Sequence, residues 1–470
     1  MTLDPNDWSG LRALGHRMID DLFDQMAQVR TRPVWQNVPD AVRAELRTPL
    51  PQTGTGAEAA YEDFARLIRP YPTGNTHPRF MGWVHGGGNA VGTLAELLAA
   101  GLNANLGGRD HAPIVAERQV IGWTAELLGL PPETSGLLVT GTSVANLIAV
   151  LVARTAALGA GVRTAGLGGA RLTAYTSEKA HSCVSRALDM AGLGSNVLRL
   201  IPCGAEHRMD IAALRAAIAR DRAAGMQPFL VVGTAGTVDI GAFDDLAAIS
   251  AVARAEGLWF HVDGAFGALA ALSPALRPLL DGVEAADSLA CDFHKWMQVP
   301  YDAGCVLVRN PAAHLAAFAQ NAAYLRREAR GLAGGHPWPC DLGPDLSRGF
   351  RALKVWMTWR AYGSAAMGEM IAGTCAVARA LADRVDREPA LERLAPVPLN
   401  IVCFRVRGSD DLNREIAADV QEAGLAAPST TIIGGRLAIR AAIVNHRTTV
   451  ADTDALVQAV LAAAQARGAI

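Results

Sequence analysis

Leu258-Trp259-Phe260-His261-Val262-Asp263-Gly264-Ala265 and, further on, Asp292-Phe293-His294-Lys295-Trp296 bracket the stretch whose reading decides the fold. The first segment reads as a buried parallel strand, an apolar run that ends on one carboxylate and turns at a glycine. In open α/β sheets ligands lie beyond the carboxyl ends of strands, which puts Asp263 where chemistry is done. Lys295 follows 32 residues later, just past a second apolar run, Asp287-Ser288-Leu289-Ala290-Cys291. A lysine between His294 and Trp296 at a buried strand end is open to desolvation, which lowers an amine's pKa and frees it for Schiff-base formation. An aspartate on the neighbouring strand end suits a cationic ring nitrogen. Singly, the aspartate reads as a cap or ion-pair partner and the lysine as a solvated amine. Their pairing on adjacent strand ends is what singles them out.

Around this stretch strand and helix signals alternate, with strands at 171–176, 197–201 and 229–232 and helices from about 181, at 211–221 and at 246–256. That rhythm predicts a mostly parallel central sheet with helices on both faces. Leu137-Leu138-Val139-Thr140-Gly141-Thr142-Ser143-Val144 reads as strand, tight turn and helix start. Thr142 and Ser143 then sit at a helix N-terminus, where free N–H groups and the dipole favour a phosphate, although an N-cap is the ordinary use of such residues. His181 falls just after the strand at 171–176, on the same rim as Asp263, placed to stack on a flat ring or to cap the next helix. Two glycine-rich segments are expected to line a pocket: His77-Pro78-Arg79-Phe80-Met81-Gly82-Trp83-Val84-His85-Gly86-Gly87-Gly88, through Trp83 and His85, and Asn105-Leu106-Gly107-Gly108-Arg109-Asp110-His111, through Asn105 and Arg109. An ion pair within the fold is the plainer use of Arg109.

Three parts are expected. Residues 1–78 form an N-terminal helical arm: Leu11, Leu14, Met18, Ile19, Leu22, Phe23 and Met26 share one face of a helix over 9–29, a face that needs a partner such as a second subunit, and a proline-rich linker follows. Residues 79–350 form the large α/β domain. Residues 351–470 begin in a long helix and form a small C-terminal α+β domain, with strands at 401–406 and 436–442 and helices at 412–423 and 452–466. Residues 309–346 lack a clear period and are expected to form a mobile loop.

With 470 residues, 50% hydrophobic, the chain can bury a large core. A net charge of −2 with 19% charged residues and no basic run gives no footprint for nucleic acid or an anionic membrane surface, so small-molecule chemistry is the better reading. Seven scattered cysteines without a CxxC pair argue against a disulfide framework and a cysteine-rich metal site. The acidic N-terminus lacks the pattern of an export signal, so a cytoplasmic location is expected. The apolar stretch 137–161 is interrupted by Thr140, Ser143, Asn146 and Arg154 and reads as strand plus helix instead of a membrane span.

Lined up in order, His261-Val262-Asp263, His294-Lys295-Trp296, Ala180-His181-Ser182 and Phe350-Arg351-Ala352-Leu353-Lys354-Val355-Trp356 resemble the group II pyridoxal-phosphate-dependent decarboxylases, the family of aromatic-L-amino-acid decarboxylase. The resemblance runs nearly end to end and implies fold type I, a homodimer with active sites at its interface, and pyridoxal 5'-phosphate as cofactor. It implies Lys295 as Schiff-base lysine, Asp263 as partner of the pyridine nitrogen, His181 as the ring-stacking histidine and Ala265 as the small residue on the other ring face. Thr142, Ser143, Thr237 and His294 fall among the cofactor-binding positions, and Tyr324 on the mobile-loop tyrosine that protonates the substrate carbon. The implied reaction is loss of carbon dioxide from an L-amino acid, aromatic by family, with the ring as electron sink; relatives lacking the tyrosine tend toward aldehyde synthesis. No metal is implied.

Several positions depart from the family. Asn105, Gly107, Gly108 and Arg109 replace apolar and aromatic residues, His85 stands at a common proline, Val144 and Val238 at a frequent acid and threonine, and Asp292 at a common asparagine. A carboxylate repels a phosphate, so Asp292 is not assigned to it. The departures direct Arg109 toward a polar or acidic substrate group. Rival readings are an acidic-substrate decarboxylase, an aldehyde synthase or aminotransferase on the same cofactor, and a serine hydrolase with Ser143, Asp263 and His294 in the order of a nucleophile elbow, which lacks the second elbow glycine and leaves Lys295, His181 and Tyr324 unused.

Overall fold

The structure is a computed structural model that describes residues 2–319, 328–335 and 337–470. In chain order the strands are β1 (Phe80–Met81), β2 (Ser135–Val139), β3 (Leu172–Ser177), β4 (Leu198–Ile201), β5 (Gln227–Thr234), β6 (Trp259–Asp263), β7 (Ser288–Asp292), β8 (Gly304–Val308), β9 (Leu391–Arg393), β10 (Ile401–Val406), β11 (Ala427–Ile433) and β12 (Arg436–Ala442). They form a seven-stranded sheet, β2-β8-β7-β6-β5-β3-β4, and a five-stranded sheet, β1-β11-β12-β10-β9. The chain folds into two compact units, a large one of Val84–Ala378 with Pro396–Ile401, and a second of Met1–Trp83 with Arg379–Ala395 and Val402–Ile470.

In the large unit, β3 pairs in parallel with β4 and β5, β5 with β6, and β6 with β7, as the alternating pattern predicts. β8 runs antiparallel between β7 and β2. β2 therefore points the same way as β7, and the carboxyl ends of β2, β3, β5, β6 and β7 share one rim. The strands read as apolar runs because both faces are covered: Val262, Leu289 and Val306 are fully buried, each stabilising the fold by about 1.5–3 kcal/mol. Local chemistry delivers β6 to its place. Asp245 caps the helix Leu246–Glu256 by accepting from the Ala248 amide at 2.9 Å, and Gly257, at φ +65°, ends that helix in the left-handed turn that feeds the strand.

β8 and β11 are elements the sequence pattern does not give. β8 breaks the strand–helix rhythm by returning antiparallel directly after the lysine loop. Part of the expected loop 309–346 is also ordered: the helix Pro311–Phe318 carries proline in its first turn, and Asn310 accepts from the amides of Ala312 and Ala313.

The second unit gathers the N-terminal arm with the C-terminal sheet. The helix Trp8–Ala27 leads into an arm on which Arg30 pairs with Asp452 at 2.8 Å, and Asn445 donates to the carbonyls of Asn75, Thr76 and His77 at 3.0–3.2 Å. β1 adds in parallel to β11. The arm expected as a separate 1–78 segment thus groups with the C-terminal sheet, and the boundary expected near 350 lies at 378–379. The long helix Ala352–Asp386 explains the shift, because Trp359 packs edge-on against Trp123, with ring centroids 5.7 Å apart, and Thr374 accepts from the Trp296 indole at 3.1 Å. That helix is long and apolar enough to cross a membrane by length and composition alone. Gly363 (φ +75°) interrupts it, and Val355, Ile371 and Cys375 are buried in the protein.

Candidate active site

The rim collects the predicted residues of the large unit. Asp263 ends β6 and is buried; its Oδ1 accepts from the Ala265 amide at 3.1 Å, while Oδ2 accepts from Asn146 Nδ2 at 3.2 Å and the Cys183 thiol at 3.6 Å. His181 follows β3 and is exposed toward solvent, with its Nδ1 accepting from the Cys183 amide at 3.2 Å. That bond leaves Nε2 as the protonated nitrogen of the neutral ring and fixes the ring's plane. Thr237 lies in the turn after β5, buried, its hydroxyl accepting from the Ala242 amide at 3.0 Å.

Beyond β7 lies the charged part of the rim. Lys295 Nζ sits 2.7 Å from Asp292 Oδ2, and its side chain keeps 22% exposure. Asp292 also accepts from the Thr142 amide (2.8 Å) and hydroxyl (2.9 Å), so this carboxylate caps the helix Thr142–Leu158. Burial opposes the lysine's charge, but Asp292, helped by Asp263 and Cys183, outweighs it and raises the Lys295 pKa. This reverses the lowered amine pKa expected from desolvation: the strand order sets an acid within reach. Ser143 stands exposed in the same first helical turn, whose Val144 and Ala145 amides donate to the Gly141 carbonyl at 3.0 and 3.1 Å.

His294 is buried, and burial lowers its pKa despite Asp292 nearby. Its Nδ1 accepts from the Ala303 amide at 3.0 Å, leaving Nε2–H toward Asp292 Oδ2, 3.8 Å away. The Tyr301 ring lies 4.3 Å from the His294 ring and 5.9 Å from that of His85. Burial also lowers the His85 pKa, with Lys295 adding to the effect. The segment carrying His85 is threaded against the lysine loop. A Cβ on Gly86 would meet the carbonyls of His294 and Lys295 at 2.3 and 2.4 Å, and the Gly87 amide donates to Gln298 at 2.8 Å.

Other predicted pocket residues stand elsewhere or serve the scaffold. The Asn105 carboxamide oxygen accepts from the amides of Gly107 (2.9 Å) and Arg348 (3.0 Å). The Arg109 guanidinium lies 4.5 Å from the centroid of the Trp338 ring, a stacking contact worth about 0.5–1 kcal/mol at an exposed site. Trp83 belongs to the other compact unit, where its amide donates to Ser429 at 3.4 Å. Tyr324 lies outside the described residues. The sequence reading missed Tyr301, Asn146 and the buried pair Arg348–Glu117, which sits under β2 with Glu117 accepting from the Leu138 amide at 3.0 Å. Asn146 could have been found as a lone amide in an otherwise apolar helix.

The donor set fits pyridoxal phosphate: a partly exposed amine, a buried carboxylate fed by neutral donors, a helix N-terminus with an exposed hydroxyl for the phosphate, and an exposed imidazole of fixed plane. The hydrolase set of Ser143, Asp263 and His294 is not assembled: His294 Nδ1 accepts from the Ala303 amide and its Nε2 faces Asp292. Fold and site together define a pyridoxal-phosphate-dependent enzyme of fold type I.

Comparison with known proteins narrows this class. Residues 39–407 match the family described as pyridoxal-dependent decarboxylase conserved domain. The chain is 32% identical to an aromatic-L-amino-acid decarboxylase of Bacillus atrophaeus over 93% of this chain and 92% of that one, and 29% identical to a phenylacetaldehyde synthase of Arabidopsis thaliana over 94% and 93%. The structure of Oryza sativa TDC with PLP and tryptamine is similar with a TM-score of 0.91 at 28% identity, covering 99% of this chain and 100% of that one. The chain belongs to the pyridoxal-dependent decarboxylase family and is a PLP-dependent amino acid decarboxylase.

Proposed function

We propose that this enzyme decarboxylates an aromatic L-amino acid to its amine. The observation that carries the reading is the single rim holding Lys295, Asp263, His181 and the first turn of the helix Thr142–Leu158, in a chain similar to enzymes named for aromatic substrates. When bound, the cofactor supplies an electrophilic carbonyl and a sink for the electrons of the broken carbon–carbon bond. To hold the cofactor covalently, Lys295 Nζ would have to shed a proton, and Asp292 Oδ2 lies 2.7 Å away to receive it. Asp263 would pair with a protonated ring nitrogen of the bound cofactor, and His181, its own plane fixed by the Cys183 amide, would pack on that ring. Ser143, exposed at the start of the helix Thr142–Leu158, would hold the phosphate together with His294. Tyr324 delivers a proton to the substrate carbon.

The reading includes a homodimer and a cytoplasmic location. Leu94, Leu97, Leu98 and Leu102 on the helix Ala90–Leu102 are exposed in the single chain and support a subunit contact; sedimentation at micromolar concentration tests it. A second reading, aldehyde synthesis, is favoured by the similarity to phenylacetaldehyde synthase. One assay separates them: purified enzyme with L-tryptophan, L-tyrosine, L-phenylalanine and L-glutamate, following amine, carbon dioxide, ammonia and peroxide. Equimolar amine and carbon dioxide from an aromatic substrate is the expected result. Stoichiometric ammonia and peroxide would establish the second reading, and preference for glutamate would overturn the substrate class.

A further inference from the structure

Trp259, His261 and Asp263 occupy alternate positions of β6 and so face the same side of the sheet. On that side a continuous chain of hydrogen bonds, buried beyond its first member, runs to the rim. Trp259 Nε1 lies 2.8 Å from Ser288 Oγ, Ser288 Oγ 2.8 Å from His261 Nδ1, His261 Nε2 2.7 Å from Asn146 Oδ1, and Asn146 Nδ2 3.2 Å from Asp263 Oδ2. His261, Asn146 and Ser288 are each 1% exposed. β6 pairs His261 with Ser288 across the strands, and Asn146 comes from the helix Thr142–Leu158. A histidine inside a strand that otherwise reads as apolar breaks the local pattern, and such breaks mark positions held for function.

The two ends of this chain dictate its polarity. An indole N–H only donates and a carboxamide oxygen only accepts. His261 must therefore carry its proton on Nε2, and burial, which pushes its pKa down to about 4, keeps Nδ1 bare to accept the Ser288 hydroxyl proton. With Nε2–H bound to Oδ1, the Asn146 amide turns its NH2 toward Asp263 and the Cys183 sulfur at 3.1 Å. A flipped amide would press a carbonyl oxygen against the carboxylate and favour its protonated form, which donates instead of accepting.

We propose that Asn146 and His261, ordered by Ser288 and Trp259, are positioning residues that hold Asp263 as a carboxylate with a free lone pair toward the cofactor's ring nitrogen. The inference rests on the reading that Asp263 faces that nitrogen. It adds that the lone pairs of Asp263 are directed by an amide orientation imposed from a fully buried histidine.

The test uses the full chain loaded with pyridoxal phosphate labelled with 15N in the ring. His261→Leu removes the donor that orders Asn146, and Ser288→Ala removes the one that orders His261. His261→Gln restores an N–H toward Asn146. The expected result is a cofactor dissociation constant raised about tenfold in His261→Leu and less in Ser288→Ala, a ring 15N resonance moved toward the neutral value, and recovery of both in His261→Gln. Melting temperatures report packing separately; a role confined to packing would lower them in all three variants and leave the 15N resonance in place, which would overturn the proposal. Asn146→Leu serves if His261→Leu fails to fold, with the same two readouts. Asp263→Ala is the comparator: if it leaves the resonance unchanged, the reading of Asp263 itself fails, whereas an altered Asp263→Ala beside an unaltered His261→Leu sinks the relay alone.

Discussion

Asp263 and Asp292 end neighbouring strands, are almost equally buried, and are held in opposite ways. Asp263 is surrounded by neutral donors, the Ala265 amide, the Asn146 carboxamide and the Cys183 thiol. Asp292 faces a cation and a helix start, with Lys295 at 2.7 Å and both polar groups of Thr142 within 2.9 Å. A buried carboxylate whose direct contacts are all neutral donors has no ion-pair partner at hydrogen-bond distance and suits a cation that arrives from outside the chain. One paired with its own lysine is already neutralised. The difference shows how one sheet edge presents an acid to a ligand while using another internally.

The sharpest break in the comparison is removal of the amine. Lys295→Ala should abolish borohydride trapping of the cofactor and lower carbon dioxide release by about 10³-fold or more. Retained trapping would assign the Schiff base to another lysine. Asp263→Ala follows, with a loss of about 10²–10³-fold in turnover, the equivalent of a charge-assisted hydrogen bond of about 3–4 kcal/mol; an unchanged rate would make the two carboxylates equivalent bystanders.

Asp292→Asn tests the other half. Since Asp292 raises the Lys295 pKa against burial, its loss should let burial dominate and lower that pKa, and each unit of lowering gives about tenfold more free amine at neutral pH. Stopped-flow uptake of pyridoxal phosphate by cofactor-free protein should accelerate accordingly; slower uptake would mean that capping the helix outweighs the charge on the amine. In the unsubstituted protein a raised lysine pKa contributes stability that is complete below the unfolded value of 10.5 and lost as pH climbs through the folded value, so alkaline melting checks the same pair.

The neutral side of the comparison predicts an acid limb. Burial holds His261 and His314 at about 4, so between 6.5 and 4 the unfolded chain binds more protons than the folded one. Stability from each is whole above pH 6.5 and declines as pH falls toward 4, by up to about 3 kcal/mol. His261→Gln should flatten that decline by one histidine's share in melting curves between about pH 7 and 4.5. The smallest effect is Arg109→Ala. Stacking on Trp338 predicts a loss of about 0.5–1 kcal/mol in stability and an unaltered substrate ranking, whereas a changed ranking would restore Arg109 to substrate recognition.

The placement of Lys295, Asp263 and His181 on one rim is legible in the sequence because each follows a strand that its own neighbours in the chain define, whereas Thr142, expected at the phosphate, gives both its polar groups to Asp292. The roles of Asn146 and Asp292 are not legible, since their partners are remote: 115 residues separate Asn146 from His261, and 150 separate Thr142 from Asp292. Arg109 shows the converse. A cation in a polar glycine-rich segment reads as a substrate contact until Trp338 is seen beneath it.

By itself, the sequence determined the parallel core and the family and marked Lys295 and Asp263 at neighbouring strand ends, because apolar periodicity and strand-end residues are local properties. Only the tertiary structure decided that Asp263 rests on neutral donors while Asp292 restrains the lysine. That choice depends on distances and hydrogen-bond directions between strands and a helix that the order of residues does not specify.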